Sequence, residues 1–262
     1  MFNLTQSSAS FWYQNTIQYN AYQNLVRAAR HLASGERIST AADNPARLII
    51  SEQLRSNIGA LNQKIENSTL AIDKYTTADT TITGLRALLI DIRSDALGAV
   101  NSVNDAATQT AFHNSVVAAV NAFNDQVANA SFGSAKLFDS SAQAVAHIPT
   151  LAGIDLSTPE RALESLGRLD SFSSQLDVIQ ENIGATLKYD LTSERASMEI
   201  TRQNLVAAES QLRDSDLARE LISFATFSAL EYSAAAVARA HSYIAAQTVL
   251  DLFLPRPFGF FR

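Results

Sequence analysis

Four histidines, His31, His113, His147 and His241, are the side chains in this chain best suited to ligate a metal or move a proton near neutral pH. They fall in separate segments without metal-ligand spacing, so ordinary surface or core roles are expected of them. The densest carboxylate group is Asp214, Asp216 and Glu220, which could hold a cation. Arg213 and Arg219 interleave with these acids, and ion pairing along a helix is the reading they favour. Asn67-Ser68-Thr69 and Asn129-Ala130-Ser131 fit the N-glycosylation pattern, a short motif that matches often by chance. No H-E-x-x-H, G-x-S-x-G, P-loop or dinucleotide fingerprint occurs in the sequence. Neither a catalytic residue, a cofactor nor a metal is assigned from these residues.

Composition bounds the remaining options. The chain has 262 residues, 47% apolar and 18% charged, enough to fold and bury a sizeable core. With no cysteine, disulfides, thiolate metal sites and a Cys nucleophile are excluded. A net charge of −6 with dispersed Lys and Arg gives no basis for nucleic-acid binding. No uninterrupted apolar stretch reaches membrane-span length; the nearest, Leu221 to Leu230, stops at Glu231, and no membrane insertion is expected. The start MFNLTQSSAS lacks the basic and long apolar regions of a secretory signal, so export by a cleaved Sec signal is not expected.

The elements that would position any site are helical. Only 9 Gly and 5 Pro punctuate the chain, which leaves long unbroken tracts. The first ten residues are polar and unpatterned; from Phe11 helical spacing begins, with Tyr22, Leu25, Ala29 and Leu32 on one stripe. Gly35 can end that helix in the left-handed conformation. Residues 35 to 45 read as a loop, with Asp43 or Asn44 capping the next helix and Pro45 in its first turn. From Leu54 to Val100 an apolar stripe keeps a 3/4 rhythm, a helix of roughly 80 Å at 1.5 Å per residue. A helix that long implies a rod-shaped bundle. Phe112, Val116, Val120, Phe123 and Val127 mark a shorter helix, and Ser131 to Phe138 alternates around Gly133 as a short hairpin should. Residues 139 to 160 read as a compact β or loop connector. Leu163, Leu166 and Leu169 restart the helical signal, and a second long stripe runs from Leu176 to Leu212. An Ala-rich last helix reaches about Leu254, before PRPFGFFR breaks it.

His31 to Asp73 resembles the N-terminal signature of bacterial flagellins. The matching residues are Leu32, Ser34, Gly35, Arg37, Ile38, Ala42, Asp43, Asn44, Pro45, Leu54, Arg55, Ile58, Leu61, Asn62 and Gln63. Ala130 to Asp139 (ASFGSAKLFD) looks like the family's Phe-x-Gly-x-Lys-Leu-Leu hairpin. Glu209 to Glu220 (ESQLRDSDLARE) is similar to its Arg-Ile-x-Asp-x-Asp-x-Ala-x-Glu motif. The chain departs from the family at Arg47, in its aromatic N-terminal helix and in the tail beyond Phe253. Ser94-Asp95 replace the Glu-Leu of a segment read by a vertebrate innate immune receptor, so that recognition is not carried over.

The resemblance implies a mainly α fold: a long antiparallel helical rod or coiled coil with a small β-hairpin connector. It implies an N-terminal inner-core helix (1–44), N-terminal rod helices plus hairpin (45–139) and a short connector in place of variable outer domains (140–160). A C-terminal rod helix (161–218) and a C-terminal inner-core helix with an aromatic tail (219–262) complete it. The implied function is that of a structural subunit, without enzymatic activity, that polymerises into the extracellular flagellar filament. Implied partners are copies of the chain, other flagellar axial proteins, the type III export apparatus and a flagellin chaperone. The polymerisation interface is expected at Tyr22, Leu25 and Leu32, at Gly35, Arg37, Asp43, Asn44 and Pro45, at Arg213, Asp214, Asp216 and Glu220, and at Phe227, Leu230, Val237 and Ile244. A hook–filament junction protein, a minor specialised flagellin and a flagellin-related cell-surface binding protein remain alternatives.

Overall fold

A computed structural model describes residues 4–101 and 103–253. The tail beyond Phe253, and the first three residues, lie outside them. The chain is mainly α. In order, α1 is Leu4–Ser34, α2 Pro45–Ala99 and α3 Ala106–Asn129. The strands β1 (Ser131–Phe132) and β2 (Ala135–Lys136) follow, then α4 (Pro159–Ala185). A π-helical segment, Thr186–Thr192, leads into α5 (Ser193–Arg213), and α6 is Leu217–Phe253. Two compact units divide these elements: residues up to Ile58 with those from Asn204 onward, and Gly59–Gln203.

The Gly59–Gln203 unit carries the larger core. On α2 the buried residues Ala78, Ile82, Leu85, Leu89, Ile92, Ala96 and Ala99 alternate steps of four and three, which keeps them on one face. Val116, Phe123 and Val127 of α3 meet that face, as do Leu169, Phe172, Leu176 and Ile183 of α4. The Phe123 and Phe172 rings meet edge to face at 5.5 Å between centroids. Each such side chain contributes about 1.5–3 kcal/mol on burial, so this face holds the unit together. Asp79 meets Gln180, Arg86 meets Asp177 and Arg93 meets Asp170, so α2 and α4 run antiparallel. Asp105 caps α3 by accepting from the Thr108 amide at 2.7 Å, and Thr158 caps α4 with Pro159 in its first turn.

The hairpin forms where the alternation put it. Ser131 pairs with Lys136 and Phe132 with Ala135, and Gly133 takes φ 62° in the turn. Beyond it the connector is a packed loop, not a sheet. Asn124 clamps Leu151 in both directions at 2.9 Å, and the buried Gln109 amide donates to the carbonyls of Ala99 and Leu156. Ile148, Leu151 and Leu156 fill the core beneath. These polar clamps satisfy the loop's backbone where no ladder does.

Three expectations about element detail change. The first helix begins at Leu4, not Phe11: no Gly or Pro interrupts residues 4 to 34, so the helix extends through the unpatterned start. Leu163 is exposed, and the inward face of α4 starts at Ala162 and Ser165. The stripe through Ile183, Leu187 and Leu191 also does not continue as α-helix. Successive steps of four drift about 40° each from the α period, and the wider π turn absorbs the surplus. The Thr192 and Ser193 hydroxyls donate to the carbonyls five residues back, Leu187 and Lys188, across that turn.

Candidate functional site

Within the unit formed by the two ends of the chain, α1 and α6 pack antiparallel along each other. The face that α1 buries carries Ala21, Ala28 and His31, with Leu25 and Leu32 half-buried beside it. Small residues at 21 and 28 permit close approach. Tyr22, one residue or about 100° further round, is 54% exposed. On α6, Phe227 is half-buried, while Leu230, Val237 and Ile244 are exposed. Tyr13, Gln14 and Ile17 of α1 form a groove with Leu230, Ser233, Ala234 and Val237 of α6, and the Gln14 side-chain oxygen there is buried without a hydrogen bond. Trp12, Tyr19, Tyr232 and Tyr243 add exposed aromatic surface.

The stretch Leu217–Ile244 is long and apolar enough, by length and composition, to cross a membrane, with mean hydropathy 1.4. Arg219, Glu220, Glu231 and Arg239 are spaced through it, so no uninterrupted apolar run marks it in the sequence. It packs along α1, yet none of that apolar window is fully buried inside the chain.

A polar cluster sits where these helices end. Gly35 takes φ 71°, a left-handed conformation open to glycine, and its amide bonds the His31 carbonyl at 2.8 Å to close α1. The chain then runs against residues 213 to 215 as a short antiparallel bridge, Glu36 facing Asp214. The Arg37 amide donates to the Arg213 carbonyl at 2.7 Å, and the Ser215 amide to the Gly35 carbonyl at 2.9 Å. Arg37 also donates its guanidinium to the carbonyls of Gln211 and Leu212 at the end of α5. Two of the sequence motifs thus meet as one site.

Arg213 is buried at the centre. Its Nη2 donates to Glu36 at 3.0 Å and its Nη1 to Glu52 at 2.7 Å. Burial opposes its charge, but these two carboxylates outweigh that and push its pKa up. Arg55 adds a second bridge, to Glu36 at 3.1 Å and Glu209 at 2.9 Å. The expectation of ion pairing along one helix is therefore corrected. Arg213 pairs across the fold, Asp214 accepts from Ser210, and Asp216 caps α6 by accepting from the amides of Ala218 and Arg219. Glu220 meets His31 at 3.2 Å.

Asn44 caps α2, accepting from the Arg47 amide at 3.0 Å, and Pro45 opens the helix. Asp43 instead gathers the loop: one carboxylate oxygen accepts from the amides and hydroxyls of Ser39 and Thr40. Burial works against its ionisation, but the Thr40 and Ser39 hydrogen bonds and nearby His31 hold its pKa below the usual carboxylate value. Sequence reading missed Glu36, Glu52, Arg55, Glu209 and the role of His31. Their partners lie 12 to 189 residues away, so no local spacing marks them. Among the described residues, no group of three or more His, Asp or Glu is placed to hold a metal ion.

A family model described as the bacterial flagellin N-terminal helical region matches residues 5–143. The flagellin of Halalkalibacterium halodurans is 28% identical over 233 residues, covering 78% of this chain and 86% of that one. A flagellin of Clostridium tyrobutyricum is 30% identical over 173 residues, 62% of this chain and 46% of the relative. The flagellar filament 33 kDa core protein of Treponema phagedenis is 24% identical over 275 residues, 89% and 93% of the two chains.

Proposed function

The chain belongs to the bacterial flagellin family, and from that premise we propose that it is a structural subunit that self-associates into the extracellular flagellar filament. One structural observation carries the reading. The paired terminal helices leave a run of large apolar side chains exposed, from Trp12 and Tyr22 on α1 to Leu230, Val237 and Ile244 on α6. Tyr13, Ile17, Leu230 and Val237 share one groove of this surface, and a polymer of repeated copies would cover it. Subunits joined by heterologous contacts that do not close produce a filament, not a ring.

In this reading the inner-core segments are 1–44 and 219–262, and the surrounding helices with their hairpin are 45–139 and 161–218. The residues from 140 to 160 fill the place of an outer domain. Tyr22, Leu25, Leu32, Phe227, Leu230, Val237 and Ile244 would contact neighbouring copies. The cluster of Gly35, Arg37, Asp43, Asn44, Pro45, Arg213, Asp214, Asp216 and Glu220 would set the geometry of the segments that carry them. Other axial proteins, the flagellar export apparatus and a flagellin chaperone are the proposed partners before and during assembly. The role is mechanical, with no catalytic step.

High-speed sedimentation of purified chain, before and after salting-out or seeding, tests the reading. Transfer of most of the protein to the pellet supports it, and a persistent low-mass species at all concentrations counts against it.

A further inference from the structure

Among the described residues, His31 is one of the few that bury a side-chain nitrogen without a hydrogen bond. It lies in the last turn of α1, with its side chain 8% exposed. Its Nδ1 is 3.2 Å from Glu220 Oε1 on α6, and its Nε2 faces Asp43 Oδ1 of the 35–44 loop at 3.7 Å. Nε2 is buried and makes no hydrogen bond. Both ring nitrogens therefore point at acids.

A neutral imidazole carries one N–H, so it can donate to only one of these partners and must turn a lone pair on the other. The imidazolium donates from both nitrogens. We infer that His31 is a proton-operated latch: its charged form ties the end of α1 to the start of α6 through Glu220 and to the 35–44 loop through Asp43, and loss of the proton releases one of the two acids.

Among the described residues, the neighbouring charges are engaged elsewhere or exposed. On α1, Arg27 bonds Asn24 and Arg30 is exposed, while Arg219 on α6 is exposed. In the loop, Glu36 is held by Arg213 and Arg55, and Arg37 reaches the end of α5. Asp216 is occupied in capping α6, and Arg47 on α2 is exposed. The latch is closed while His31 carries its second ring proton and open once that proton is lost. This property belongs to the single chain and holds whether or not the chain polymerises.

Hydrogen–deuterium exchange of the full-length protein at pH 5.5 and 8.0, corrected for intrinsic exchange, tests the latch. At least one of the peptides covering 35–44 and 216–221 should exchange at least about tenfold faster at pH 8.0, the scale of one lost charge-assisted hydrogen bond. His31→Arg should hold both segments protected at both pH values, and His31→Gln should remove the pH response. Peptides from 78–99 serve as an internal control for folding. Exchange in the wild type that does not change with pH, or a pH response that survives in His31→Gln, overturns the inference. If the variants fold poorly, the ring-carbon NMR titration of His31 in the wild type decides: its midpoint must coincide with that of the exchange change, and a mismatch sinks the latch.

Discussion

Nη2 of Arg213 donates to Oε2 of Glu36 at 3.0 Å, joining two residues 177 positions apart in the chain. Glu52 takes Nη1 of the same guanidinium, so one buried cation ties the loop after α1, the first turns of α2 and the end of α5. Removing a partner from a buried ion group leaves the others uncompensated, and that cost exceeds the net value of the pairing. Arg213→Ala should therefore destabilise the terminal unit by about 2–3 kcal/mol, below the fully buried range because Glu52 stays half in water. Trp12, the chain's one tryptophan, lies in this unit. Its fluorescence during urea unfolding reads the effect, and an unchanged midpoint would show that Arg213 is not the tie.

Asp155 links acid sensitivity to the other unit. Its carboxylate accepts from the Ser157 amide at 2.9 Å and from Arg161 at 2.6 Å. Hydrogen bonds from the Ser157 amide and hydroxyl outweigh an opposing burial effect and, with Arg161 adding to them, lower its pKa to about 2. A folded pKa below the unfolded one gives stability that is present above the unfolded value and lost as pH falls. The Gly59–Gln203 unit should weaken between about pH 4 and 2, and Asp155→Asn should flatten that slope. Circular dichroism in urea at pH 5 and pH 2.5 reads it. Equal pH slopes in wild type and variant would contradict the assignment.

Val237 tests the apolar groove on the paired terminal helices. It is 49% exposed and lines the groove with Tyr13, Ile17 and Leu230. Val237→Asp puts a charge where a neighbouring copy would exclude water, which costs several times RT, while the monomer keeps that charge in solvent. The critical concentration for assembly should rise at least about tenfold. The melting curve of the Gly59–Gln203 unit should not move. Assembly at the wild-type concentration would remove this groove from the interface.

The helices were legible because their signals are local. Ala78 to Ala99 repeats every three or four residues, Gly133 sits in an alternating stretch, and Asn44-Pro45 caps a helix in the ordinary way. Short signals of this kind need no knowledge of the fold. The polar junction was half legible: Gly35 to Pro45 and Arg213 to Glu220 stood out as motifs, yet their mutual contact did not. Glu36, Glu52 and Glu209 look like solvated surface acids until the fold brings Arg213 and Arg55 to them. His31 failed for the same reason, since its acids lie 12 and 189 residues away. The π turn at 186 to 192 was hidden because a four-residue step reads equally well as one stripe on an α-helix.

Electron microscopy of the purified full-length chain, seeded or salted out, addresses self-assembly itself. Long filaments of uniform diameter with a central channel are the predicted result. Persistent monomers, or closed rings and amorphous aggregate in place of filaments, would contradict the account.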